Sequence, residues 1–449
     1  MVLMKRIELL APAGNMNSLK AAVQAGCDAV YLGGNFFGAR AFSKNFDNDE
    51  LVDAINYCHL YGVKVYVTVN TLIYENEVSD FIKYIEFLHR NNVDAVLVQD
   101  FGMMDLIRKT FPNLEVHAST QMHIHNLDGV KFMESLGIRR VVLARETSID
   151  DIKTMKENSD VELEVFVHGA LCISYSGQCL MSSLIGGRSG NRGACAGSCR
   201  LKYDVIDDTG KKLNKGEYPL STKDLNTLEY IGDLIDAGVS SLKIEGRMKS
   251  PEYVYMVVKL YRMAIDSYYE NGKVMINDDD VLSLKKIFNR DYTKGFLFNI
   301  DNNDLINGYR PNHMGVKVGK ILGYDKGFAK IELYDDISIG SGLRVIGKNY
   351  DVGINVNDFY VNGKLVKEAH AGDIIKIKVN DKVFVGDTVV ITLDKNLNNS
   401  IDEVIDNNLR KVLIKGKFTA KVGDKICFSL SDGVNQVSLD GNIVIYVLK

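Results

Sequence analysis

The chain is short of several things. It has no tryptophan and only five prolines in 449 residues, and it shows neither an internal repeat nor a low-complexity tail, which excludes a repeat array and a disordered polar segment. No apolar run approaches the about 18 residues that a membrane-spanning helix needs. Lys5, Arg6 and Glu8 interrupt the only apolar stretch near the start, so no signal peptide is expected, no membrane is expected as a partner, and the cytoplasm is the expected compartment. A global charge of one sign is missing too: 54 basic against 58 acidic residues leave a net −4. Any nucleic-acid site must therefore be a local patch.

One local absence marks such a patch. From Val165 to Tyr203 there is no Asp or Glu, while Arg188, Arg192, Arg200 and Lys202 all carry positive charge. The same segment holds four of the seven cysteines, Cys172, Cys179, Cys195 and Cys199, in the spacing Cys-x6-Cys-x15-Cys-x3-Cys. In a reducing compartment disulfides are not expected, which leaves metal ligation or inert burial. Cys27, Cys58 and Cys427 sit in helix-like or strand-like patterns and read as core.

What is present is an ordinary globular composition, 46% apolar and 25% charged, with chain enough for two or three domains. Short β-branched runs begin at Ile7, Ala29, Lys64, Ala95, Glu115, Arg140, Glu162 and Ser241. Between them lie amphipathic stretches such as Asn17 to Ala25, Glu50 to Tyr61, Val78 to Asn91, Leu127 to Leu136 and Leu225 to Ala237, several of which end at a glycine suited to a left-handed cap. Eight strand-then-helix units over about 270 residues predict an α/β fold, a (β/α)8 TIM-like barrel. The rival is an open doubly wound sheet, whose nucleotide fingerprint Ala11-Pro12-Ala13-Gly14 does not supply.

The predicted organisation is a barrel over 1–275 with the four-cysteine loop at 172–199, a connector over 276–314, a small β-barrel-like domain over 315–395, and a C-terminal β segment over 396–449 that reads as the start of a further domain. The β assignment rests on short alternating strands broken by turns such as Ala371-Gly372-Asp373 and Val385-Gly386-Asp387.

In such a barrel the reactive residues gather past the strand ends. Those ends supply Asn70, Gln99, Asp100, His117, Ser119, Gln121, Arg145, Glu146, His168 and the run Lys243-Ile244-Glu245-Gly246-Arg247. Alternation along the eighth strand puts Lys243 and Glu245 on one face, pointing into the barrel, either as a structural ion pair or in contact with substrate. Arg200, Arg247 and Lys249 read equally as solvated charges or phosphate contacts. His123-Ile124-His125 reads as a satisfied surface pair rather than a metal site.

Three chemistries compete for the thiols. Zinc favours closely spaced knuckles, which Cys195 and Cys199 form and Cys172 and Cys179 do not. A nucleophilic cysteine needs a base, and His168 near Cys172 is the local candidate. Four thiolates from one loop can also hold a [4Fe–4S] cluster, with nearby glycines letting amides approach the sulfurs.

The string Glu164-Val-Phe-Val-His-Gly-Ala-Leu-Cys172-Ile-Ser-Tyr-Ser-Gly-Gln-Cys179-Leu-Met-Ser182 resembles the signature of the collagenase-like peptidases, family thirty-two among peptidases of unknown catalytic type. The likeness continues through Glu8-Leu-Leu-Ala-Pro-Ala-Gly14, Asp28-Ala-Val-Tyr-Leu-Gly-Gly34, His117-Ala-Ser-Thr-Gln121, Val142-Leu-Ala-Arg-Glu146 and Lys243-Ile-Glu-Gly-Arg247, over about the first 310 residues.

The better-understood members of that family resemble oxygen-independent hydroxylases acting on a 23S rRNA cytidine, on the tRNA wobble uridine or on the ubiquinone ring. The resemblance implies an iron–sulfur cluster, of [4Fe–4S] type, on Cys172, Cys179, Cys195 and Cys199, with zinc as the alternative metal. It also implies RNA as partner, the rRNA branch ahead of the tRNA branch, and a prephenate-like anionic hydroxyl donor, while the electron donor stays open.

Arg188, Arg192 and Arg200 would then hold phosphate or carboxylate, with Gln121, Arg145, Tyr175 and Arg247 also at the substrate. His168, Lys243 and Glu245 would serve proton transfer or base orientation. The alternatives are a peptidase, and a non-catalytic RNA-binding or maturation factor with the cysteine loop as a staple.

Overall fold

Runs of Val, Ile, Leu and Ala too short for helices become strands here because each can bury both faces, one against a ring of helices and one inside a barrel. The computed structural model describes residues 6–40, 44–214, 216–298, 304–348, 350–433 and 435–444. The strands are β1 (Glu8–Pro12), β2 (Ala29–Leu32), β3 (Lys64–Val69), β4 (Ala95–Val98), β5 (Glu115–Ala118), β6 (Arg140–Val142), β7 (Glu162–Ala170), β8 (Asp224–Asn226) and β9 (Ser241–Ile244). Parallel pairing runs in order from β1 to β7, then β7 to β9, and β9 pairs back onto β1. The eight parallel strands close a TIM-like barrel, and the open-sheet rival is excluded.

Side chains sort by strand parity. Leu9, Val30, Leu32, Val65 and Val67 pack outward against the helices, while Leu10, Tyr31, Tyr66, Leu97, Val142 and Phe166 fill the lumen. Beneath that apolar layer lies a charged floor. Arg140 meets Glu8, Glu162 and Glu164 at 2.5, 2.7 and 3.4 Å, and Lys243 meets Glu164 at 2.9 Å. Breaking one partner of such a buried set costs about 3–5 kcal/mol, because it strands an unpaired charge.

Two local expectations are corrected. The stretch Leu225 to Ala237 is not one helix: it opens in β8, which runs antiparallel on the end of β7, and only Ile231–Asp236 is α-helical. Asp224, held by Arg290 at 2.5 Å, ties that strand to residues beyond the barrel, a tertiary contact that outweighs helical periodicity. The span 396–449, expected as a C-terminal β segment, opens instead in a helix, Lys395–Asp406, capped by Asp394 and burying Ile401 and Ile405. It packs on the barrel helices Met16–Gln24 and Pro251–Asn271.

Between these helices of the chain lies an eight-stranded antiparallel sheet drawn from residues 316–393. Its alternation is plain in Ile374–Lys378, which buries Ile375 and Ile377 and exposes the residues between. Residues 408–444 make a separate three-stranded sheet, Lys415–Thr419, Lys425–Ser431 and Gln436–Val444. Cys27 and Cys58 are fully buried, but Cys427 is only half-buried and lies opposite Asp440 on the neighbouring strand, which corrects its reading as core.

Candidate active site at the barrel mouth

Glu245, one residue past β9, organises the open end. Its carboxylate lies 3.3 Å from Arg145 and 3.5 Å from Arg40. Burial alone would raise the Glu245 pKa, yet Arg40, Arg145 and Arg247 hold it below the usual carboxylate range. Arg247 donates to the Thr68 hydroxyl at 3.0 Å; burial, helped by Arg40, brings its pKa down to about 10. Arg145 also lies 3.9 Å over the Phe166 ring. Three guanidiniums thus face one carboxylate, an excess of positive charge that an anion would balance.

Two glycines of the early strand ends make this packing possible. A Cβ on Gly33 would sit 2.4 Å from the Arg247 guanidinium, and one on Gly14 would sit 1.8 Å from the Arg247 carbonyl oxygen. The first two motifs of the chain are therefore shaped around the last.

The cysteine loop is anchored beside this cluster. Ser176 is buried; its amide donates to Glu146 at 3.0 Å, and its hydroxyl accepts from the Arg145 amide at 3.1 Å. Cys199 has Cys172, Cys195 and Cys179 near enough to act on it: partial burial pushes its thiol pKa up, the other three thiols add to this, and Arg200 opposes them. The Gly197 amide donates to the Cys195 sulfur at 3.4 Å, and the Ser182 hydroxyl lies 4.0 Å from the same sulfur. Among the described residues no three His, Cys, Asp or Glu side chains converge as ligands of one metal ion.

Residues 14–307 match peptidase family U32. The chain belongs to peptidase family U32. It is 37% identical over 406 residues to an uncharacterized protease of Methanocaldococcus jannaschii, covering 87% of this chain and 99% of that one. It is 35% identical to tRNA hydroxylation protein P1 of Bacillus subtilis, covering 85% and 94%. Against 23S rRNA 5-hydroxycytidine C2501 synthase of Escherichia coli it is 36% identical, covering 80% of this chain and 55% of the longer relative.

The U32 motifs do not all end at the site. Arg145 and Arg247 are brought together there, with Arg40, which no sequence signal had singled out. Lys243 does point into the lumen, but its partner is Glu164, not Glu245. Its ammonium is closed in between Tyr31 and Phe166, 4.4 and 5.4 Å from their ring centres.

His168 is turned away. A bulge in β7 sets it opposite Ile244, whose side chain belongs to the outer core. Its Nδ1 lies 3.3 Å from the Tyr261 hydroxyl, and its ring packs against those of Tyr253, Tyr261 and Tyr292. Burial lowers its pKa to about 4. This geometry does not make it a base for Cys172.

The arginines of the loop act as ties. Arg192 holds Glu77 at 2.6 Å and the Leu72 carbonyl at 2.6 Å, and Arg200 donates to Ser221, Thr222 and the Leu171 carbonyl. Arg188 donates to the Ala194 carbonyl at 3.0 Å, and Lys202 pairs with Glu217 at 2.7 Å. Arg192 and Arg200 are thus engaged within the protein, whereas Arg188 stays exposed.

Asp100 caps its helix through the Met103 amide, and His117 is sealed in the lumen beside Glu115 at 2.9 Å. Gln121 and Tyr175 stay at the mouth. The Gln121 carbonyl is 3.5 Å from the Gln99 amide, and Tyr175 is 64% exposed.

Proposed function

We propose that this U32 chain hydroxylates a pyrimidine base in RNA without molecular oxygen, using a four-thiolate iron–sulfur cluster and an anionic, prephenate-like hydroxyl donor. The observation that carries this reading is the pairing of a four-thiol loop with an over-cationic arginine cluster at the open end of one barrel. The names of the Bacillus subtilis and Escherichia coli relatives support RNA hydroxylation, and their near-equal identities leave the choice of rRNA cytidine or tRNA uridine to experiment.

The donor set suits a cluster. Cys172, Cys179 and Cys195 all act electrostatically on Cys199, no carboxylate interrupts residues 165–203, and an amide N–H already points at the Cys195 sulfur, the kind of contact that tunes cluster potential. Cys172, Cys179, Cys195 and Cys199 would hold it; a four-iron cluster spreads its thiolates over separate corners, whereas zinc draws them onto one ion. When bound, such a cluster supplies electron transfer or a Lewis-acidic iron. Arg40, Arg145 and Arg247 would orient the donor's carboxylates, and Glu245 would keep those guanidiniums in place before the anion arrives.

The name of the archaeal relative points to proteolysis. The burial of His168 among tyrosines leaves Cys172 without the base that its neighbourhood in sequence promised.

Two measurements test the proposal. Anaerobically purified protein should contain iron and sulfide, with a visible and paramagnetic signature lost in Cys179→Ala; a colourless protein with stoichiometric zinc overturns the cluster. Mass spectrometry of RNA nucleosides from cells with and without the gene should show a hydroxylated pyrimidine that depends on it; identical profiles overturn the activity.

A further inference from the structure

The His123-Ile124-His125 motif is not a self-satisfied surface pair. His123 ends the 3-10 turn Thr120–Met122 in a left-handed conformation, φ 58° and ψ 39°, which is costly for a residue with a Cβ and is held only where the surroundings impose it. The conformation lays its ring against that of His125, centroids 4.6 Å apart, and against that of Tyr175, 5.6 Å apart. His125 is fixed by its Nδ1, 2.9 Å from the His123 carbonyl. Tyr175 and His125 are exposed, so three rings line the rim, and Tyr175 is the neighbour in sequence of Ser176, which anchors the cysteine loop.

Beside the rings lie buried polar atoms without a hydrogen bond. Glu146 uses only one oxygen on Ser176; its other oxygen faces His123 Nδ1 at 3.9 Å, beyond hydrogen-bond reach. That oxygen, His123 Nδ1 and Gln99 Oε1 are all buried and unpartnered, and Gln99 is 8% exposed. Buried polar atoms are nearly always paired, so Glu146 and His123, which face each other beyond hydrogen-bond reach, and Gln99, held at the Gln121 carbonyl two residues before His123, leave room for a ligand that brings the missing partners.

We propose that His125, His123 and Tyr175 form the stacking platform for the target base, and that Glu146 and Gln99 read its edge. This rests on the RNA reading above and goes beyond it by selecting the base. Aromatic faces accept any base, but the buried second oxygen of Glu146 is an acceptor without a hydrogen bond and favours an exocyclic amine, which donates. Carboxylate to cytosine N4 is the matching pair.

The test is fluorescence anisotropy with labelled hexamers of cytidylate and uridylate. Tyr175→Ala should weaken cytidylate binding about ten-fold, Tyr175→Phe should retain it, and Glu146→Gln should narrow the preference for cytidylate at an unchanged melting temperature. Tyr175→Ala binding as tightly as wild type, or Glu146→Gln keeping the wild-type ratio, overturns the platform. Nucleoside profiles separate this from the activity. A modified base lost on deletion and fully restored by Tyr175→Ala sinks the platform and spares hydroxylation, whereas Tyr175-dependent cytidylate binding with unchanged nucleosides does the reverse.

Discussion

Ser176 and Glu146 join two parts of the chain thirty residues apart: the Ser176 amide donates to a Glu146 oxygen at 3.0 Å while the Ser176 hydroxyl receives the amide of the adjacent Arg145. One small side chain thus ties the loop bearing Cys172 and Cys179 to the barrel rim. Ser176→Ala leaves the partly buried Arg145 amide without this partner and should cost about 1 kcal/mol, read by denaturant unfolding. Hydrogen exchange over 172–180 should quicken, and unaltered exchange there would show that the loop is held elsewhere.

Gly33 and Gly14 should respond differently to the same added methyl. In Gly33→Ala the new carbon meets the end of a flexible side chain, so Arg247 swings off Thr68, and anion affinity falls while the fold survives. In Gly14→Ala it meets the Arg247 backbone oxygen, which cannot move without displacing the strand end. That variant should show a much lower melting temperature, and equal melting temperatures for the two would contradict the packing described.

Glu245→Ala removes the one carboxylate from among Arg40, Arg145 and Arg247. The expected loss is about 3–5 kcal/mol, partly recovered by malonate, which can take the carboxylate's place. Thermal unfolding of wild type and variant across a malonate series checks this, and a variant as stable as wild type without added anion would refute it.

His168 predicts an acid limb in stability. Its folded pKa, near 4 through burial, lies below the unfolded value of about 6.5. The unfolded chain therefore binds the extra proton between those values, and stability is full above about pH 6.5 and declines as pH falls toward 4. The loss reaches about 3 kcal/mol, and His168→Gln should flatten it in melting curves taken from pH 4 to 7.

The barrel was legible because its signal is local. β-branched runs starting at Ala29, Lys64, Ala95, Glu115, Arg140, Glu162 and Ser241 begin strands at those residues, and the cysteine loop follows β7 as expected. Helical periodicity misled at Leu225, where the Asp224–Arg290 pair and antiparallel pairing took precedence, and it was overlooked in Lys395–Asp406, whose apolar residues are few. Arg40 was missed since an arginine in a loop announces nothing until Glu245 is beside it.

Composition, spacing and period alone determined that a strand–helix barrel carries four thiols on an acid-free loop at its open end, because strand parity and chain order need no knowledge of distant partners. Folding decided who meets whom. The bulge in β7 rotates His168 into the outer core, Lys243 falls to Glu164, Glu245 gathers three arginines, and left-handed His123 joins Tyr175. The His168 and His123 placements turn on one bulge and one backbone angle, and the charge pairs on distances between residues far apart in sequence, to which a sequence pattern hardly responds.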